Sequence, residues 1–334
     1  MIEPGRYTSG RIALANLSAT IDSLERRVAE EAVFEDLLSL SKLLFLRGDL
    51  LGRIADHDRA ELAATEAVRL APDAKSGIFI AARLAARFHR FPEATAMLDD
   101  ALAVGYAQHE IDSERASILQ ATGHYQEALF LRQELAKHEP GIHTFGALAS
   151  LLAEMDQWAA AEARYAAALD ADAGTSPLPC GQLLFEWGVS AMRRGDLDRA
   201  DTIFAELDTI LPQHVPGRGH RAEVALARGQ LDLALALIEP LPAISDDPEY
   251  RATYAEILEA SGDREAAARE VGRAAEAYEE LLARRPEAYA DHAAWFFMGI
   301  GNNPQRAVDL ARANWKLRDT PRSRTLLQKA LEAA

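Results

Sequence analysis

Nine histidines are the first residues of this sequence that could move a proton or bind a metal: His57, His89, His109, His124, His138, His143, His214, His220 and His292. A zinc hydrolase would hold two of them one helical turn apart around a glutamate, and neither HExxH nor any other paired ligand spacing is present. Four of them, His57, His89, His124 and His214, fall near places where one helix must turn into another. All nine are expected as solvated loop or surface side chains. The single cysteine, Cys180, excludes an intrachain disulfide and any CxxC pair. It lies in a stretch expected to be a loop, and no neighbouring base marks it as a nucleophile. Asp170 and Asp172 before Gly174 look like two ligands of a calcium loop, but the further carboxylates and the closing glutamate are missing. The GRGH run at Gly217 to His220 is too short to cradle a phosphate and is expected to loosen a helix start. One trio, Glu256, Tyr289 and His292, could serve as an active site only if the fold drew it into one closed pocket. The expectation is therefore no catalytic residue, no cofactor and no metal, and a chain that is not an enzyme.

Composition narrows the elements that could carry such residues. Of 334 residues, 49% are hydrophobic but only 7% aromatic, and the apolar content is largely Ala and Leu. That mixture suits closely packed helices better than strands. The formal net charge is −16, from 36 Lys plus Arg against 52 Asp plus Glu, so the average surface repels a nucleic-acid backbone. A helical code for reading RNA is disfavoured on the same ground. After Met1 the chain reads IEPGR and lacks the apolar run of a secretory signal. No stretch approaches the roughly 18 apolar residues of a spanning helix. A cytoplasmic protein without membrane insertion is expected.

Periodicity decides the architecture. Alanines recur at Ala60, Ala94, Ala128, Ala161, Ala200, Ala234, Ala267 and Ala307, with steps of 34, 34, 33, 39, 34, 33 and 40 residues. Twelve residues before each stand Gly48, Ala82, Ala116, Ala149, Gly188, Ala222, Ala255 and Trp295, small in all but the last, as close helix packing requires. Gly123, Gly195, Gly229 and Gly262 lie five residues before an anchor, where a first helix ends and a left-handed turn is needed. Pro72, Pro140 and Pro212 lie twelve residues after one, where a second helix stops. Two interruptions break the rhythm. Ala171 to Gln182, rich in Gly and Pro, is expected as an exposed loop. Arg264 to Arg285 is expected as a helix about two turns longer than its counterparts.

The stretch Leu184 to Pro212, LFEWGVSAMRRGDLDRADTIFAELDTILP, resembles the tetratricopeptide repeat most closely, with Trp187, Gly188, Gly195, Ala200, Phe204 and Pro212 in family positions. His109 to Pro140 and Lys75 to Tyr106 are similar. Arg115 and Arg221 depart from it where a buried Leu is usual, and Arg218 and Arg251 where an aromatic is usual. The resemblance covers residues 41–321 and implies an all-α, right-handed superhelical solenoid of about eight helical hairpins. Units are expected near 41–74, 75–108, 109–141, 142–174, 181–214, 215–247, 248–281 and 288–321. Residues 1–40 would supply an N-terminal capping helix, through Leu17, Ile21, Leu24 and Val28. Residues 322–334 would supply a C-terminal one, since a stack leaves its end faces uncovered otherwise.

In that family the first helix of each hairpin lines the concave face, and the resemblance implies that partners bind there. Projection onto that face selects Phe45, Asp49, Phe79, Arg83 and Arg87, then Glu110, Ser113, Ser117, Gly146, Ser150 and Gly219. Phe185, Val189, Met192, Glu223, Glu256, Tyr289, His292 and Phe296 complete it. The aromatic and methionine side chains offer apolar area, each large one contributing on the order of 1.5 to 3 kcal/mol when covered. Arg83 and Arg87, one turn apart with Arg53 on the helix before, could hold an acidic tail by paired hydrogen bonds. The expected function is a scaffold or adaptor that binds a peptide or protein segment in an open concave groove. A regulatory or assembly subunit of a larger enzyme or export complex is the alternative, and a groove enzyme the least favoured one.

Overall fold

The computed structural model describes residues 5–334, so the first four residues of the expected N-terminal cap lie outside the described residues. Helices follow one another along the whole chain. They are α1 (Gly10–Glu30), α2 (Phe34–Leu51), α3 (Ile54–Leu70), α4 (Lys75–Arg87), α5 (Phe91–Ala103), α6 (Gln108–Ala121) and α7 (Tyr125–His138). Next come α8 (Ile142–Glu154), α9 (Trp158–Ala171), α10 (Pro177–Arg193), α11 (Leu197–Ile210), α12 (Val215–Ala227), α13 (Leu231–Ile238) and α14 (Leu241–Ile244). The chain ends with α15 (Pro248–Ala260), α16 (Arg264–Arg284), α17 (Pro286–Met298), α18 (Pro304–Leu317) and α19 (Pro321–Ala333). From α2 to α18 consecutive helices pair as hairpins, α2/α3 being the first and α17/α18 the eighth, with the four-residue α14 between the sixth and seventh and with α1 and α19 single at the two ends. Among the described residues no helix is long and apolar enough to cross a membrane.

The alanine period is the packing period. All eight anchors are 0 to 2% exposed. The small residues twelve positions earlier sit opposite them for a steric reason. A Cβ on Gly48 would stand 2.5 Å from the His57 imidazole, and one on Gly188 2.5 Å from the Phe204 ring. Gly123, Gly195, Gly229 and Gly262 hold φ between +72° and +90°, as the turns between helices demand.

Several boundaries differ from the sequence expectation. Helix α2 starts at Phe34, seven residues before residue 41, so the N-terminal cap is shorter and the first hairpin longer. The first interruption is not an exposed loop from 171 to 182. Proline is tolerated in the first helical turn, and Ser176 caps the Leu178 amide, so α10 begins at Pro177 and takes in Pro179, Cys180 and Gly181. Cys180 is therefore a fully buried helical residue, its thiol pushed up to about 11 by burial. The short break that remains is tied down. Tyr7 donates to Asp172 at 2.8 Å, the Thr8 amide to Thr175 O at 2.8 Å, and the Gly174 amide to Asp172 at 3.0 Å. Gly217 and Gly219 do not loosen a helix start either. They lie inside α12, where Leu207 and Tyr250 press against them too closely for any side chain. The long α16 packs rather than projects, burying Tyr278, Leu281 and Leu282, with Tyr278 5.0 Å from the Phe296 ring.

Unforeseen in the sequence is how the superhelix closes. The inter-helix turn of each early hairpin presses on the connection leading into the hairpin six places further on. In the first, Arg53 donates to Ile244 O at 2.8 Å, and the Ile54 and Ala55 amides donate to the Asp246 carboxylate at 2.7 and 2.9 Å. In the second, His89 Nδ1 meets Glu287 O at 2.9 Å, and the Arg285 guanidinium lies 3.5 Å over the Phe88 ring while pairing with Asp58 and Glu61. In the third, Arg318 donates to Ala121 O at 3.1 Å, and Gly123 lies directly beneath Asp319 O. At the start of α1, Gly10 packs against Ile210 and Leu211 in the same way.

One superhelical turn thus takes about six hairpins, and the second turn rests directly on the first. The expected open trough is corrected to a tube, because a ribbon whose edges touch has no lateral opening along the seam. Replacing Arg285 with Ala removes an ion pair and a cation–π contact at this seam. We expect a loss of roughly 2 kcal/mol in urea unfolding, with a larger radius of gyration in small-angle scattering.

Candidate functional site

The first helices of the hairpins form the wall of the lumen. Of the residues projected onto it, Phe45, Asp49, Arg83, Arg87, Ser113, Ser117, Ser150, Phe185, Met192, Glu223, Glu256 and His292 keep contact with solvent. Phe79, Gly146, Val189, Tyr289 and Phe296 do not, because their register turns them into the packing between helices. Phe79 is 4% exposed and stacks on Tyr106 at 4.2 Å, and Val189 is closed off among its neighbours. A side chain on Gly146 would meet Leu183 at 2.8 Å. Tyr289 is buried with no hydrogen-bond partner for its hydroxyl, and Phe296 packs on Tyr278 and Phe297.

One cavity of about 270 Å³ gathers several of the exposed residues. Phe45, Ala86, Phe91, Ile118 and Ala121 give it an apolar floor, and Arg83, Arg87, His89, Glu114 and Ser117 its polar rim. The Arg83 guanidinium sits 5.3 Å over the Phe45 ring. Its Nε lies 2.9 Å from Glu114 but is not aligned as a hydrogen bond, and remains a buried donor without a partner. Arg87 Nε stands 3.7 Å from Asp49, beyond direct hydrogen-bond range. Both guanidiniums therefore retain donor capacity. Arg53, expected beside them, is instead spent in the seam on Ile244 O.

His109, His124, His138 and His143 are exposed as expected, but the other five histidines are not. His57 and His214 are 1% and 2% exposed, and two others join carboxylates in the lumen. His292 Nδ1 lies 3.2 Å from Glu249, while Asp291 accepts from the His292 amide at 3.0 Å and from Arg318 at 3.2 Å. His220 Nδ1 lies 3.0 Å from Glu223. Burial alone would discharge His292, but Glu249 and then Asp291 outweigh it and raise its pKa to about 10. Burial also opposes the Asp291 charge, yet His292 and Arg318 hold that carboxyl at about 2. Glu256 behaves oppositely. Crowding by the lumen wall, and then the Glu223 carboxylate, push it up to about 7. His292, Tyr289 and Glu256 are not linked to one another by any hydrogen bond among the described residues.

Sequence reasoning missed Glu114, His220, Glu249, Asp291 and Arg318. Glu249 was within reach, standing two helical turns before Glu256 on the same face of α15. Arg318 was not, since its partners lie 27 and 197 residues away.

His214 titrates in the opposite sense to His292. Burial, against the pull of Asp49, lowers its pKa to about 4, and its Nδ1 accepts from the Gly217 amide at 3.0 Å as the cap of α12. With a folded pKa below the unfolded value, the unfolded chain binds more protons between about 4 and 6.5, so this contribution is present above pH 6.5 and fades as pH falls toward 4. Asn at this position would keep a cap acceptor without titrating. From pH 7 to 4 the wild type is expected to lose up to about 3 kcal/mol more than His214→Asn in denaturant titrations.

A tetratricopeptide repeat family model matches residues 191–257. No curated protein sequence matches the chain. Among solved structures, a tetratricopeptide repeat protein from Parabacteroides merdae aligns with 18% identity over 84% of this chain and 98% of its own, at a TM-score of 0.47. A chain of the APC/C hetero-tetramer Cut9-Hcn1 aligns with 12% identity and a TM-score of 0.57, over 93% of this chain, which spans 58% of it. YrrB, described as a tetratricopeptide protein with an unusual peptide-binding site, aligns with 16% identity over 59% of this chain and 96% of its own, at a TM-score of 0.33. The repeat signature thus stands on residues 191–257, and helices pair in the same manner from α2 to α18.

Proposed function

We propose that this chain is a non-catalytic scaffold or adaptor that takes up a segment of another protein on the inner wall of its superhelix. The segment carries a carboxylate beside an apolar side chain. The observation that supports this is the cavity at Phe45, where two half-exposed guanidiniums keep unused donors over an apolar floor. A carboxylate can take paired hydrogen bonds from such a fork, and the neighbouring side chain covers Phe45 and Ile118. Since Asp49 and Glu114 already flank the two arginines, an incoming acid must displace them, which favours selectivity over raw affinity.

An assembly-subunit role draws on a separate feature. Around the α18–α19 end, Trp315 and Leu331 are 41% and 50% exposed, so an end cap could dock on a larger complex.

The test replaces both arginines. Arg83→Glu with Arg87→Glu should weaken capture of the partner recovered by the wild-type chain roughly tenfold or more, with circular dichroism and unfolding midpoint retained. Unchanged affinity would move the binding site elsewhere.

A further inference from the structure

Four residues after the alanine anchor, the second helix of each hairpin turns a side chain into the packing between helices. Seven of the eight hairpins fill that position with Ala64, Leu98, Tyr165, Phe204, Ile238, Val271 and Ala311, none of them charged at neutral pH. The third hairpin carries Arg132 there, only 7% exposed. Its Nη2 donates to Ser117 Oγ at 2.8 Å, and its Nε is sealed from solvent with no acceptor. Among the described residues no carboxylate pairs with it. Burial works against its charge, and Glu186 and Glu114 offset that only in part. Glu186 is itself engaged by Gln182 at 3.0 Å. A buried guanidinium in this state destabilises the chain relative to an apolar side chain.

Ser117 lines the cavity at Phe45, so Arg132 stands directly behind the site proposed for a carboxylate. Glu114, also in the lining, lies three residues before Ser117 on α6, and residues at that spacing are neighbours on one helix face. Glu114 faces Arg83 at 2.9 Å without an aligned hydrogen bond. Nε and Nη2 share one edge of a guanidinium, so the idle donor of Arg132 lies on the edge that Ser117 already touches.

We propose that Arg132 is a positioning residue that receives Glu114 when a ligand enters the cavity. The incoming carboxylate takes the Arg83 guanidinium, and Glu114 turns about its side-chain bonds onto Arg132 Nε. An acidic ligand then enters without stranding Glu114, and a neutral one of the same shape gains nothing from Arg132. The exchange rests on the cavity binding a carboxylate, as proposed above.

The probes are N-acetyl-leucyl-glutamyl amide and its neutral glutaminyl counterpart, titrated by calorimetry and by NMR of the arginine Nε–H groups. Wild type should bind the acidic dipeptide about fivefold more tightly than the neutral one, and only the acidic one should shift the Arg132 Nε–H resonance. Arg132→Leu should bind the acidic dipeptide about fivefold more weakly, with an unfolding midpoint no lower than that of wild type. In a Glu114→Gln background the same substitution should change affinity by less than about twofold, since no carboxylate is displaced there. If wild type does not distinguish the two dipeptides, the carboxylate site fails and the exchange with it. If it does, yet the Arg132 resonance stays fixed, or Arg132→Leu weakens binding equally in both backgrounds or not at all, the exchange alone is overturned.

Discussion

Two backbone amides at the start of α3 and one carboxylate 191 residues later hold the key to this molecule. The first amides of any helix have no partner inside it. Those of Ile54 and Ala55 find theirs in Asp246, across the gap between one superhelical turn and the next. An anionic group at a helix N-terminus is favoured by the helix dipole as well as by the hydrogen bonds. Once that contact forms, the pitch is set. The neighbouring turns at His89 and Gly123 then fall on Glu287 and Asp319 in the same register. A stack of helical hairpins is in this chain wound until its edges meet.

Closing the edges changes what the inner wall can be. Side chains that would face bulk water in an open groove are enclosed by helices on every side while still touching solvent in the lumen. Charges there are held by one another. His292 stays protonated because Glu249 and Asp291 outweigh its burial, and burial, then the nearby Glu223, pushes the Glu256 carboxyl up to about 7. A visitor to such a wall gains little by adding one more ion pair, since it must first break one. The exception lies at Arg83 and Arg87, whose partners are misaligned or too distant to satisfy them.

The repeat was legible in the sequence because it is local. An alanine must recur wherever two helices of a hairpin touch, and the glycine that ends a first helix must adopt a left-handed turn, so spacing alone revealed both. Arg264 to Arg285 was read correctly as an overlong helix for the same reason. The register of the first helices was read only in part. Phe45, Arg83 and His292 keep contact with solvent, but Phe79, Val189 and Tyr289 are buried between helices, and amphipathic spacing does not separate those two situations. The seam was not legible at all. Its contacts join residues about 190 to 227 positions apart, and each uses ordinary loop chemistry, a carboxylate, an arginine or a carbonyl, that carries no motif. Proline misled in the other direction at Pro177 and Pro179, where a helix start looked like a loop.

Amide hydrogen exchange at the start of α3 tests the closed superhelix most directly. First-turn amides exchange freely in an isolated hairpin, so any protection at Ile54 and Ala55 must come from across the seam. The account predicts slow exchange at both amides in the intact chain and fast exchange in an Asp246→Ala variant, with the middle of α3 little changed. Equal and rapid exchange in both proteins would mean that the two turns do not touch in solution.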